Sequence, residues 1–111
     1  MKREFIRLPE FERRWRDIGL VEDHIADLES ALCSNPQKGD IMKGTGGLRK
    51  LRWRLRGNSG CIRVVYVDFA AYEKTYLISV YLKKEKDNLS DRERNEIKKV
   101  IKQLEKELER K

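Results

Sequence analysis

The chain is poor in the residues from which most metal and disulfide chemistry is built. Its 111 residues include one histidine and two cysteines. Cys33 and Cys61 form no CxxC pair and have no paired histidine. A zinc site takes about four ligands, so metal binding is disfavoured and no cofactor is expected. Two buried free thiols in a reducing compartment are the simpler reading. Long apolar runs are missing too. No stretch approaches the roughly 20 apolar residues of a membrane span, and the start, MKREFIRLPEF, has no signal-peptide core. The expectation is a cytoplasmic protein that does not engage a membrane. No repeat, linker or low-complexity tract interrupts the chain, so residues 1–111 read as a single domain.

The most informative lack is local. Between Asp40 and Asp68 the chain carries Lys43, Arg49, Lys50, Arg52, Arg54, Arg56 and Arg63 and no carboxylate. The remainder holds 19 bases against 19 acids, so the whole net charge of +7 resides in that window. Such a segment is the electrostatic footprint of a polyanion partner.

Periodicity places the window in a framework. REFIRLP alternates as an opening strand over residues 2–8, ended by Pro9. Phe11, Trp15 and Ile18 form one helical stripe that stops at Gly19. Val21, Ile25, Leu28 and Leu32 form a second, ended by SNPQKGD, and two helices so closely joined must fold back as a hairpin. From Leu48 the period becomes two. Arg49, Leu51, Trp53 and Leu55 face one way and Lys50, Arg52 and Arg54 the other. LRGNSGC reads as a hairpin loop, CIRVVYVDF as a second strand, AAYEK as a turn and TYLISVYLKK as a third strand. Short connections make these three an antiparallel meander. Ser90 and Glu93 form a capping box, followed by a helix with the apolar seam Ile97, Val100, Ile101, Leu104 and Leu108. On its flank Lys98, Lys102, Lys106 and Arg110 recur every four residues, read as a solvated face. The expected fold is α+β: an N-terminal strand and two-helix hairpin packed on a curved antiparallel sheet of about four strands, with a C-terminal helix.

The glycines of GDIMKGTGGLRK do not make a P-loop, because Gly44 is followed by Thr45 where the motif needs Lys. They shape the turn into the basic strand. The strand's own side chains are therefore the instrument. Lys50 and Arg52 project from one face about 7 Å apart, close to the spacing of phosphates along a nucleic acid. Arg63 and Lys83 can join them from the next two strands. Clustered bases can stabilise charge on a phosphate under in-line attack. The acid-free window offers no carboxylates for a catalytic metal, so cleavage would use the neighbouring 2′-OH, which restricts the substrate to RNA. His24 stands alone and reads as a surface residue.

GTGGLRKLRW, GCIRVVY and YLKKEKDNLS, in that order, resemble the RelE/ParE toxin superfamily, most closely its HigB-type branch. FERRWRDIGL and LCSNPQKGDIMKGTGG fall in the matching places, so the resemblance spans nearly the whole chain. It implies the toxin of a type II toxin–antitoxin pair: a ribosome-dependent mRNA endonuclease acting in the 30S A site on mRNA beside rRNA. A cognate antitoxin, HigA-like with a helix-turn-helix, would hold it inactive. Carried over by position, Lys50, Arg52, Arg63 and Lys83 are the catalytic residues. Arg63 and Lys83 would sit on the scissile phosphate, with Lys50 and Arg52 stabilising charge or transferring a proton. Arg49, Arg54, Arg56 and Lys84 would be further RNA contacts, and Tyr81, on the same strand face as Lys83, would stack on a base. Some members carry a tyrosine where this chain has Ser90, which implies a slow enzyme that relies on the ribosome for positioning. The alternatives are a ParE-like gyrase inhibitor and a non-catalytic RNA-binding module.

Overall fold

A computed structural model describes residues 2–55, 60–86 and 88–110. Strand β1 (Glu4–Arg7) leads into α1 (Pro9–Ile18) and α2 (Glu22–Ser34). Then come β2 (Asp40–Ile41), β3 (Leu48–Arg54), β4 (Cys61–Phe69), a 3-10 turn at Ala70–Tyr72, β5 (Lys74–Leu82) and α3 (Asp91–Glu109). No described helix is long and apolar enough to cross a membrane.

Local chemistry accounts for the helix ends. Pro9 sits in the first turn of α1, where its missing N–H costs nothing. Gly19 closes the helix at φ 91°, a conformation that a Cβ disfavours, and donates to the Arg16 carbonyl at 2.9 Å. His24 caps the start of α2: its Nδ1 accepts from the Val21 N–H at 3.2 Å, so it is a half-buried cap and not a free surface residue. Val21 itself is 56 % exposed and lies outside the buried stripe. The capping box of α3 forms as expected, Glu93 N–H donating to Ser90 Oγ at 3.1 Å and Ser90 N–H to the Glu93 carboxylate at 2.9 Å.

The sheet has five strands in the order β1-β5-β4-β3-β2. Strands β3, β4 and β5 are the expected antiparallel meander. The expectation of a purely antiparallel sheet of about four strands is corrected at both edges. At one, β1 pairs parallel to β5, Glu4 beside Lys74 through Arg7 beside Leu77. A parallel partner needs a long crossover, and here α1, α2 and the meander together supply it. Arg3 locks that edge through a near-buried ion pair to Asp68 at 2.8 Å, and Asp68 also accepts from Thr75 at 2.7 Å. At the other edge the two-residue β2 is too short to show a period.

The sheet separates two cores. On one face α1 and α2 lay Phe11, Trp15, Ile25, Leu28 and Leu32 against Leu51, Leu55, Ile62, Val64, Tyr66, Leu77 and Val80. On the other α3 sets Ile101 and Leu108, flanked by Ile97 and Leu104, against Leu48, Val65, Val67, Tyr76 and Ile78. Each fully buried Ile or Leu of that seam contributes about 1.5–3 kcal/mol of transfer free energy. Val100, expected in the seam, points outward at 39 % exposure. Cys33 and Cys61 are not joined in a disulfide, and each is half-buried rather than buried.

A β-bulge sits between Val65 and Tyr66. Val65 pairs with Ser79 but Tyr66 with Leu77, leaving Ile78 as the extra residue. The insertion shifts the alternation of β5, so Tyr81 shares the α3 face with Tyr76 although the two stand an odd five positions apart.

Candidate nucleic-acid interface

Strand β3 distributes its side chains as its period requires. Leu51 and Trp53 turn to the α1–α2 core, while Leu48 turns to α3 and brings Lys50, Arg52 and Arg54 onto its own face. The cover thins along the strand: Leu48 is buried, Lys50 half-buried, Arg52 and Arg54 exposed. Across the meander Arg52 pairs with Arg63 and Arg63 with Tyr81, so one row of the sheet reads Arg52–Arg63–Tyr81. Lys50 begins the neighbouring row, opposite Val65 and then Ser79, and Arg54 lies opposite Cys61. Two arginines directly opposite one another repel. Arg63 is nevertheless 2 % exposed, whereas Arg52 and Arg54 form no ion pair among the described residues.

The connection from β5 to α3 crosses above this row. Lys86 stands over the Tyr81 ring, 5.1 Å from its centroid, and pairs with Glu93. Asn88 reaches the far side, where its Oδ1 accepts from Lys50 Nζ at 2.8 Å. Leu89 is buried in the α3 core. The Lys86 ion pair and the Ser90 amide hold the Glu93 carboxyl below the ordinary glutamate value. Nothing in KEKDNLS marked Lys86 or Asn88 for this position, because their roles arise only from where the chain crosses.

The candidates do not all gather. Lys50, Arg52 and Arg63 share one face with Tyr81, and Arg54 extends it. Tyr81 is 1 % exposed beneath Lys86, so its ring offers no open face for a base. Lys83 and Lys84, expected on the third strand, instead follow its end: β5 stops at Leu82 and the chain turns, Glu85 N–H donating to the Leu82 carbonyl at 3.0 Å. Lys83 therefore does not continue the strand face of Tyr81. Both lysines are exposed and line a cavity of about 720 Å³ at the end of the sheet, together with Cys61. That turn is tied to α1. Arg14 donates to the Val80 carbonyl at 2.6 Å and to Glu85 at 3.0 Å, and Glu85 accepts from the Leu82 amide at 3.1 Å. The Leu82 amide first, and Arg14 after it, hold the Glu85 carboxyl below its ordinary value. Arg49 lies on the opposite face of β3, where its guanidinium donates to the Gly39 carbonyl at 2.8 Å and braces the loop before β2. Arg56 lies outside the described residues. Among the described residues no three His, Cys, Asp or Glu side chains come together as a metal site.

Chemically, the Lys50–Arg52–Arg63 face gathers basic side chains of a kind suited to hold a phosphate and to stabilise added negative charge on it. No protein-family profile matches the sequence. Solved structures do match. A double arginine-to-alanine mutant of the E. coli toxin RelE in the free state is 18% identical, with a TM-score of 0.56, covering 78% of this chain and 90% of that one. The intact E. coli RelBE toxin–antitoxin complex is 20% identical, with a TM-score of 0.52 over 70% of this chain and 93% of that one. The archaeal RelE–RelB complex from Pyrococcus horikoshii is 18% identical, with a TM-score of 0.52 over 78% and 100% respectively. With three helices and a mixed five-stranded sheet, the chain shares the fold of the RelE toxin structures it matches.

Proposed function

We propose that this chain is the toxin of a type II toxin–antitoxin pair and that it cleaves mRNA on the ribosome. The observation that carries the reading is the cross-strand row of Arg52 and Arg63 with Lys50 beside it, on a RelE-type fold. The chemistry is transesterification. The ribose 2′-oxygen attacks the adjacent phosphorus, the bond to the 5′-oxygen breaks, and the products are a 2′,3′-cyclic phosphate and a 5′-hydroxyl. One proton leaves the 2′-OH and one reaches the departing oxygen. Arg63 and Arg52, with Lys50 beside them, hold the scissile phosphate and neutralise the charge that grows on it, while Lys83, beyond the end of β5, contacts RNA outside that row. Arg54, Arg56 and Lys84 hold the flanking RNA. The acid-free sequence window favours this metal-independent route. The partner that restrains the toxin is an antitoxin, as in the complexes of the RelE-fold neighbours, and HigA-type helix-turn-helix proteins are the first to test.

The test is induction of the chain in bacteria, followed by primer extension on mRNA. Growth arrest with cleavage inside translated codons supports the reading. Arrest with intact messages and broken DNA supports a gyrase inhibitor, and absence of arrest a binding module. Arg52 is exposed, so Arg52→Ala leaves the fold intact and is expected to lower cleavage by about 10²–10³-fold. Arg63→Ala should do the same but needs a thermal melt beside it, because that side chain is buried. Cleavage at the unsubstituted rate by a folded Arg52→Ala protein would refute the assignment.

A further inference from the structure

The first turns of α3 sort their charges between two flanks. Glu93, Glu96 and Ile97 line a small hollow with Ser79 of β5 and Glu10 of α1, so these acids lie on the β5 side of the helix. Ile101 lies on the other flank, where a Cβ added at Gly46 would come within 3.4 Å of its Cγ2. Arg94 precedes Ile101 by seven residues, two turns or about 10.5 Å along nearly one line of the helix, and it therefore faces β3. Contacts bracket it there. Behind it Ile101 meets the loop that enters β3, and ahead of it Asn88 accepts from Lys50 at 2.8 Å. Arg94 is thus set over the stretch of β3 from Leu48 to Lys50, with the half-buried Lys98 one turn further on.

Arg94 is a costly residue for the fold. It is half-buried, its Nε is closed off from solvent without a hydrogen-bond partner, and it forms no ion pair among the described residues. Holding a guanidinium in this way beside a second base costs stability. The acids adjacent in register do not relieve it: Asp40, opposite Lys50 on β2, and Asp91, one turn ahead of Arg94, are exposed and pair with neither base.

We infer that Arg94 and Lys50 together bind a phosphodiester of a single RNA strand, the one next to the link held by Arg52 and Arg63. Lys50 stands two residues, about 7 Å, from Arg52 along β3, one phosphate step of such a strand. A phosphate offers the guanidinium charge-assisted acceptors and neutralises the repulsion between the two bases. The helix thereby supplies a cation that the sheet alone lacks. That the strand is mRNA rests on the function proposed above; the juxtaposition of these two bases does not.

The experiment follows the Arg94 Nε–Hε signal of the full chain by NMR during titration with two probes that cannot be cut. One is a 2′-O-methyl RNA hexamer. The other is a 2′-O-methyl dinucleoside monophosphate, whose single phosphate serves the Arg52–Arg63 row alone. The hexamer is expected to shift the Arg94 signal. Arg94→Met keeps the aliphatic stem and removes the buried N–H, so its Tm should be no lower than that of the unsubstituted chain. Its affinity for the hexamer should fall about fivefold and the magnitude of its log–log salt slope by about 0.7, with the dinucleoside bound as before. The inference is overturned by a hexamer that leaves the Arg94 signal unmoved, by an Arg94→Met protein that binds the hexamer as tightly, or by equal losses on the two probes. A lower Tm for Arg94→Met would assign the side chain to the fold and overturn it too. Neither titration involves ribosomes or cleavage. A chain that engages the hexamer through Arg94 but cuts no mRNA keeps this phosphate contact and loses the nuclease; a chain that cuts mRNA while Arg94→Met binds the hexamer unchanged loses only the contact.

Discussion

Replacing Tyr66 by Phe removes a single oxygen from the best-defined polar contact in the core. The residue is 0 % exposed. Its hydroxyl donates to the Pro36 carbonyl at 2.8 Å and accepts from the Gly39 amide at 2.9 Å, and it is the tie between β4 and the loop that enters β2. Burial pushes the phenol above its ordinary pKa, so the hydroxyl stays a donor at neutral pH. Both partners lie in the interior, and an amide left unsatisfied there costs about 1–3 kcal/mol. Adding the modest net loss of the bond to Pro36 gives about 2–3 kcal/mol in all. For a domain of this size that is a drop in Tm on the order of 10 °C, read by circular dichroism, with the urea m-value unchanged. Hydrogen exchange should localise the damage. Asp40 pairs with Lys50, so amides of β2 and the outer side of β3 should exchange faster while those of α3 do not. A Tm shift of only about 1–2 °C, or a uniform rise in exchange, would show that this hydroxyl does not clamp the loop.

Gly39→Ala attacks the same junction from the other side. A Cβ there would meet the Tyr66 ring edge and hydroxyl at 2.9 Å and the Lys50 carbonyl at 3.1 Å, so a loss of about 1–3 kcal/mol is expected. A double-mutant cycle with Tyr66→Phe should be clearly non-additive, since the two changes share one contact. Ser90→Ala removes the oxygen that caps α3 and should cost about 1 kcal/mol in urea unfolding. The carboxyls of Glu85 and Glu93 are held below their ordinary value of 4.5 in the folded state. Their stabilisation is therefore present above that value and lost as pH falls through the depressed folded values. Glu85→Gln should flatten the acid limb of a stability–pH profile there, and an unchanged limb would contradict the Arg14–Glu85 tie. Binding of single-stranded RNA should weaken with salt. Arg52→Ala should lower the magnitude of the log–log slope by about 0.7, whereas Arg49→Ala should leave it unchanged because Arg49 braces a loop.

The sequence by itself determined what one turn of helix or one strand can encode. The stop of α1 at Gly19, the capping box at Ser90 and Glu93, and the alternation that puts Lys50, Arg52 and Arg54 on one face depend on neighbours within four residues. The acid-free window is a fact of composition. Only the tertiary structure decided which strands meet and what lies over them. The parallel pairing of β1 with β5, the Ile78 insertion that turns Tyr81 toward Arg63, the crossing of Lys86 and Asn88 above that row, and the release of Lys83 from the strand are settled by contacts between distant segments. Local propensity carries no information about such contacts, because a strand's hydrogen-bonding edge accepts any partner that the rest of the chain can bring to it.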